Sequence, residues 1–224
     1  MKDLKKVFYI MLCMTVGLYA TSCTNNDNNN SEIVPPLTKA DKELQLMNMS
    51  GMYNGYYFFL NDTTGKTDSI PTRWQITAAD SALRILDFPV KTLANGIPQS
   101  DARKVLMAGG TVTVETNLHP YANAYNKNGY YTYWMIPRDL KLEFTTEYQG
   151  TDYDVKVDFT DQMTAFEPNG MSAIFYAYGE YMERKLMSFI LIKSITVGQT
   201  SYTTGRACYI YGINSVVNSV VPYQ

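Results

Sequence analysis

Three cysteines and a single histidine are the only side chains of this 224-residue sequence suited to thiolate or imidazole chemistry. His119 precedes Pro120 in a stretch rich in Asn and Tyr that reads as a loop, and Cys208 lies in the apolar run from Ala207 to Tyr211. A nucleophile–base dyad would need the two side by side. Nothing in the pattern brings them together, and the plainer reading makes Cys208 a small core residue. One histidine cannot build a His-rich metal site, and neither Cys-x-x-Cys nor His-Glu-x-x-His spacing occurs. A Gly-x-Ser-x-Gly elbow, a phosphate loop and a dinucleotide fingerprint are also missing, so neither cofactor nor metal is expected. The run Asn61-Asp62-Thr63-Thr64-Gly65-Lys66-Thr67-Asp68 approaches a calcium loop only loosely and reads as a hairpin turn. Glycoside hydrolysis needs two carboxyl groups held across a bond. Glu143, Asp154, Asp158 and Asp161 instead fit solvated strand faces and turns, so a hydrolase ranks third among the function classes.

The aromatic load is the more informative chemistry, with 19 Tyr, 9 Phe and 2 Trp. Tyr121, Tyr125, Tyr130, Tyr131, Tyr133 and Trp134 fall in and beside a loop over 117–130 that also carries Asn117, Asn123, Asn126 and Asn128. Aromatic faces beside amide donors suit sugar rings, which stack through C–H faces while their hydroxyls hydrogen-bond. The same residues suit a protein interface, where Tyr is enriched. Ordinary β-structure uses Tyr at half-exposed strand positions as well.

The N-terminus carries an address. Lys2, Lys5 and Lys6 precede an apolar stretch from Val7 to Ala20, too short to span a bilayer comfortably and closed by small residues, as in a secretory signal. Ala20-Thr21-Ser22-Cys23 resembles the lipobox of bacterial lipoproteins, in which the chain is cut before the cysteine and that residue is acylated. The resemblance implies a signal peptide over 1–22, acyl chains on Cys23 and attachment to a membrane through them; more than one chain makes such anchoring stable. The alternative is a secreted protein with Cys23 as a free thiol. Removal of 1–22 takes away three lysines and one aspartate, moving the formal charge from −2 to −4. Cys208 would then be the one remaining unmodified thiol, which leaves the domain to stand on its hydrophobic core rather than on disulfides. The polar run from Thr24 to Ser31 with Pro35 and Pro36 reads as a flexible tether, giving a lipidated tether over 23–36 and one β-rich domain over 37–224. Near-neutral charge excludes a general nucleic-acid binder, which needs a basic face.

The elements that must position these residues are mainly strands. Thr38 caps a short helix with Asp41 as the capping-box carboxylate, and Ala40, Leu44 and Met47 form its apolar face. A second short helix starts at Ser100, turns Val105 and Leu106 inward and stops at Gly109. Strands are expected over 52–60, 72–77, 82–88, 111–117, 130–136, 138–148, 151–160, 172–181, 185–197, 206–213 and 215–221. One hairpin has a derivable register. A two-residue Gln149-Gly150 loop sets Leu142 opposite Val157, Leu140 opposite Phe159 and Phe144 opposite Val155, with Glu143 meeting Lys156 and Lys141 meeting Asp158 on the other face. Ten or so short antiparallel strands form a sandwich or a closed barrel, and closure favours the barrel because long open edges aggregate.

The lipobox, the Asn-rich tether, the capped helix and the strand opening Gly51-Met52-Tyr53-Asn54-Gly55-Tyr56, with Asp87-Phe88-Pro89-Val90 further on, resemble uncharacterised Bacteroidetes lipoproteins with calycin-like (lipocalin-related) barrels. That resemblance implies an outer-membrane lipoprotein of the cell envelope, facing the periplasm or the outside, and no established activity. The triplets at Asp62-Thr63-Thr64, Asp68-Ser69-Ile70 and Asp80-Ser81-Ala82 are similar to the O-glycosylation acceptors of exported proteins of that group, which would put Thr63, Ser69 and Ser81 at the surface. The expected function is a non-catalytic binding module for a glycan or an apolar small ligand. The alternative is an interaction subunit with an envelope protein as partner.

Overall fold

The computed structural model describes residues 35–122, 129–160, 178–182 and 185–214. Its first element is helix α1, Lys39–Met49, which opens with the expected reciprocal cap between Thr38 and Asp41. Ten antiparallel strands follow: β1 Gly51–Asn61, β2 Lys66–Thr77, β3 Ala82–Pro89, β4 Thr111–Tyr121, β5 Tyr131–Pro137, β6 Lys141–Tyr148, β7 Thr151–Phe159, β8 Tyr178–Met182, β9 Lys185–Val197 and β10 Thr200–Asn214. A 3₁₀ turn, Val90–Ala94, and helix α2, Asp101–Ala108, lie between β3 and β4. Helix α2 has the foreseen Ser100 cap, buried Val105 and Leu106, and Gly109 at its end.

The sheet returns on itself. Pairings run β10–β1–β2–β3–β4–β5–β8–β9, and β9 pairs with β10, so eight strands make the circuit of a nearly closed barrel. The antiparallel barrel expected from closure is therefore the fold. On its second edge β9 meets β8 through Lys185–Phe189 and then β7 through Ile192–Val197, and the β6–β7 hairpin prolongs the wall there. An extra residue at Lys193, relative to β7, switches the inward set of β9 from Leu186, Ser188, Ile190 and Ile192 to Ile195 and Val197. A similar irregularity between Ile85 and Phe88 keeps both of those side chains inside.

Two lids follow from the chain order. Helix α1 packs against β2 and β4 at the end where β1 starts. The 3₁₀ turn and α2 pack together, and α2 packs against β6. At this second end Arg103 of α2 donates to Asp62 in the β1–β2 turn at 2.8 Å and to the carbonyls of Ala94 and Ile97 at 2.8 and 2.9 Å. Asp62 also accepts from the Gly96 amide at 2.8 Å, so one half-buried ion pair ties three segments.

The hairpin register is the foreseen one: Lys141 faces Asp158, Leu142 Val157, Glu143 Lys156 and Phe144 Val155, with Gln149 and Gly150 both at positive φ. Three expectations are corrected. Leu140 belongs to a 3₁₀ turn over Arg138–Leu140, and Phe159 pairs with Ile192 rather than with Leu140. The ion pairs run along the strands, Lys141 with Glu143 and Lys156 with Asp158, where the lysine stems lie beside the next outward carboxylate. In α1 the buried residues are Gln45, Leu46 and Met49, while Leu44 and Met47 are exposed: Tyr53 donates its hydroxyl to the Met49 carbonyl and fixes the opposite side of the helix inward. The strand expected over 172–181 is seen from Tyr178 onward, and the rest of it, with 215–221, lies outside the described residues.

The interior is organised by Trp74, fully buried on β2 and stacked on Tyr53 with ring centroids 6.1 Å apart. Its six-membered ring lies over Gly212 of β10, where a Cβ would sit 2.5 Å from Cη2 and 2.7 Å from the Asn54 carbonyl. Tyr57 meets Phe88 edge-on at 5.2 Å, and Tyr133 shares a 2.6 Å hydrogen bond with Ser188. On the outer wall Arg73 holds Asp87 through two bonds of 2.6 and 3.2 Å, and Arg84 links Asp80 to Glu115, which also meets Arg138.

Gly212→Ala is expected to cost about 1–3 kcal/mol by overpacking against Trp74, lowering the midpoint of a thermal melt by several degrees. A variant melting like the parent would show that the ring does not rest on Gly212. Acid should weaken the outer wall. Hydrogen bonds from Arg84, Arg73 and Lys156 hold the carboxyls of Asp80, Asp87 and Asp158 below the usual range. Because the folded values are depressed, this stabilisation is complete above the unfolded value of about 4 and is lost as pH falls through the folded values. Denaturant midpoints should therefore decline below about pH 4, and Asp87→Asn should flatten that decline.

Candidate functional site

Strand alternation decides what the aromatic cluster can do. The loop expected over 117–130 is shorter, because β4 continues through Asn117, Leu118, His119 and Pro120 to Tyr121. Its register sets Tyr121 opposite Thr132, His119 opposite Trp134 and Pro120 opposite Tyr133. Facing residues share a face, so Tyr121, His119 and Trp134 look outward and Tyr133 inward.

The cluster therefore divides in two. Tyr133 is fully buried and held by Ser188. Tyr131 stacks on Tyr181 at 5.7 Å and 9° and accepts a 2.7 Å bond from Asn48 of α1, joining the lid to the barrel wall. Both side chains hold elements of the barrel together. On the outer face Tyr121 stacks on Trp134 at 4.8 Å and 19°, both half-buried, with His119 exposed beside them. Tyr130, which precedes β5, is half-buried, and Tyr125 lies outside the described residues. The outward pair is a flat, partly exposed aromatic surface edged by an imidazole. Such a surface can stack on an apolar or C–H face and hydrogen-bond at its rim.

Among the described residues the side chains weighed for catalysis are not brought together. His119 is on β4 and Cys208 on β10, which stand four strands apart in either direction around the eight-strand circuit. The correction for His119 is that it sits on a strand rather than in a loop. Among the acidic residues weighed for glycoside hydrolysis, Glu143 and Asp154 are exposed and Asp158 is half-buried with Lys156 and Ser194. Asp161 lies outside the described residues. A general acid needs a carboxyl pushed upward by burial. Asp80, Asp87, Asp101 and Asp158 are all pulled downward, first of all by hydrogen bonds from basic neighbours. Among the described residues no three His, Cys, Asp or Glu side chains converge to hold a metal ion.

Thr63 is exposed in the β1–β2 turn, where its amide binds Asn61 at 3.0 Å. Ser69 is half-buried on β2, and Ser81 is half-buried at positive φ in the β2–β3 turn. The run 61–68 is a hairpin turn, as read from the sequence, and its Asp62 is engaged by Arg103. Cys23 lies outside the described residues, among which no helix is long and apolar enough to cross a membrane.

Sequence reasoning missed the Arg103 latch, whose partners are 41 residues apart without any local pattern. It also missed two buried polar atoms, Gln45 Oε1 on α1 and Trp74 Nε1 on β2, which find no hydrogen-bond partner among the described residues.

No curated protein and no solved structure matches the chain. A family model described as a domain of unknown function, DUF4840, matches residues 48–197, from the end of α1 to the end of β9. The match takes in nine of the ten strands and well over half of the sequence, and the chain belongs to the DUF4840 family.

Proposed function

We propose that the protein is a lipid-anchored, non-catalytic binding module of the cell envelope that takes a glycan on the outer face of β4 and β5. The observation that carries this reading is the outward Tyr121–Trp134 stack beside exposed His119. The inward aromatics are engaged in packing: Trp74 lies over Gly212, Tyr57 against Phe88 and Tyr133 on Ser188. That use of the interior favours a ligand stacked on the surface over an apolar one enclosed in the barrel. Acyl chains on Cys23 would hold the domain at the outer membrane, with residues 23–36 as spacer.

A second reading, an interaction subunit, draws on the exposed side of α1, where Leu44 and Met47 are 57% and 66% accessible. Apolar residues turned to solvent on a helix suit a protein partner.

Two measurements test the proposal. Isothermal titration of the full chain against a panel of envelope and host oligosaccharides should find a ligand, and Trp134→Ala should weaken it by about 1–3 kcal/mol without changing the far-ultraviolet spectrum. Binding unaffected by Trp134→Ala, or no binding alongside a co-purifying envelope protein, would move the function to the second reading. Cys23→Ser should shift the protein from the membrane to the soluble fraction; a membrane-bound variant would remove the anchor.

A further inference from the structure

The circuit of eight strands leaves the β6–β7 hairpin outside it, and among the described residues no strand pairs with the second edge of β6. Eight residues, Lys141 to Tyr148, thus offer every second N–H and C=O along one edge, and they include neither Pro nor Gly. Leu142, Phe144, Thr146 and Tyr148 are half-buried on the side toward the core; Lys141, Glu143, Thr145 and Glu147 are exposed on the other. Edge strands with charges ordinarily resist pairing. Here the order of the charges along the strand is self-complementary.

We propose that β6 pairs antiparallel with β6 of a second copy of this chain, about a two-fold axis at Phe144. In that register Lys141 faces Glu147 of the other copy, and the symmetry makes the contact twice. Phe144 faces its own equivalent, Leu142 faces Thr146 and Glu143 faces Thr145, so each inner residue meets an inner residue. Sliding by two positions one way sets Glu143 against Glu147, and the other way sets Glu143 against itself; both bring like charges together. A slide by one position opposes inner to outer residues. The same face and charge rules that fix β6 on β7 therefore select one self-pairing, and two copies would share a continuous β7–β6–β6–β7 sheet.

An interface of this length is below the standard size, which sets the affinity in the micromolar range. Sedimentation velocity of the full chain, in detergent, from about 1 to 100 µM should show a monomer–dimer equilibrium. Lys141→Glu and Glu147→Lys, each made alone, place like charges at both symmetric contacts and should weaken the dimer about tenfold or more. The double variant K141E/E147K restores opposite charges and should bring the dimer back to within about threefold of the parent. Glu147 already faces Asp152 within the hairpin, so E147K relieves a repulsion and leaves the fold intact, which circular dichroism verifies. A monomer throughout the range overturns the proposal. So does a dimer indifferent to both single swaps, since its contact would lie elsewhere.

Discussion

Closure of the sheet through β9 is the constraint on which the remaining structure depends. A ten-stranded antiparallel sheet has two edges, and each unpaired edge exposes backbone groups ready to capture another strand. This chain joins its first strand to its last and its last to β9, which removes the edges from eight strands. The cost falls on β9, whose second edge must serve β8 for part of its length and β7 for the rest. The bulge at Lys193 reconciles the two: the strand can turn its next apolar residues inward only by gaining one residue there. One hairpin is left outside the circuit, and among the described residues no strand pairs with the outer edge of its β6.

Closing a small barrel also dictates how its interior is used. Eight strands enclose a space that large side chains can fill. Trp74 and its cross-strand neighbour Tyr53 stack within it, and the absence of a side chain at Gly212 admits the indole ring over β10, two strands away. Helix α1 and the Val90–Ala94 turn with α2 then close the two ends, the first through Asn48 on Tyr131 and the second through Arg103 on Asp62. Both locks are polar groups bridging distant segments, so each end is fixed by a few directed bonds and by apolar burial together.

The sequence was legible where a local rule has one solution. The β6–β7 register follows from face alternation with a two-residue turn, and the caps at Thr38 and Ser100 follow from short-range hydrogen bonding. It was less legible where distant partners choose between local options. Helix α1 has apolar residues on two sides, Leu44 with Met47 and Leu46 with Met49, and the hydroxyl of Tyr53 selects the second. The Leu140 end of the hairpin yields to β9, which competes for Phe159. Gly212 carries no sign of its task, because the ring it admits comes from the strand beyond its neighbour.

Period-two alternation explains why the aromatic cluster was readable in composition but not in use. Six aromatic residues within fourteen positions look like one surface when written in a line. Extending β4 to Tyr121 and pairing it with β5 sends neighbouring residues to opposite sides of a single sheet. Tyr133 and Trp134 are adjacent in the chain, yet one is locked to Ser188 inside the barrel and the other stacks on Tyr121 outside it. A site on this wall can therefore draw on alternate residues only, and its width comes from neighbouring strands rather than from consecutive side chains. His119 reaches the outer pair for that reason: it is two positions from Tyr121 on β4 and directly opposite Trp134 on β5.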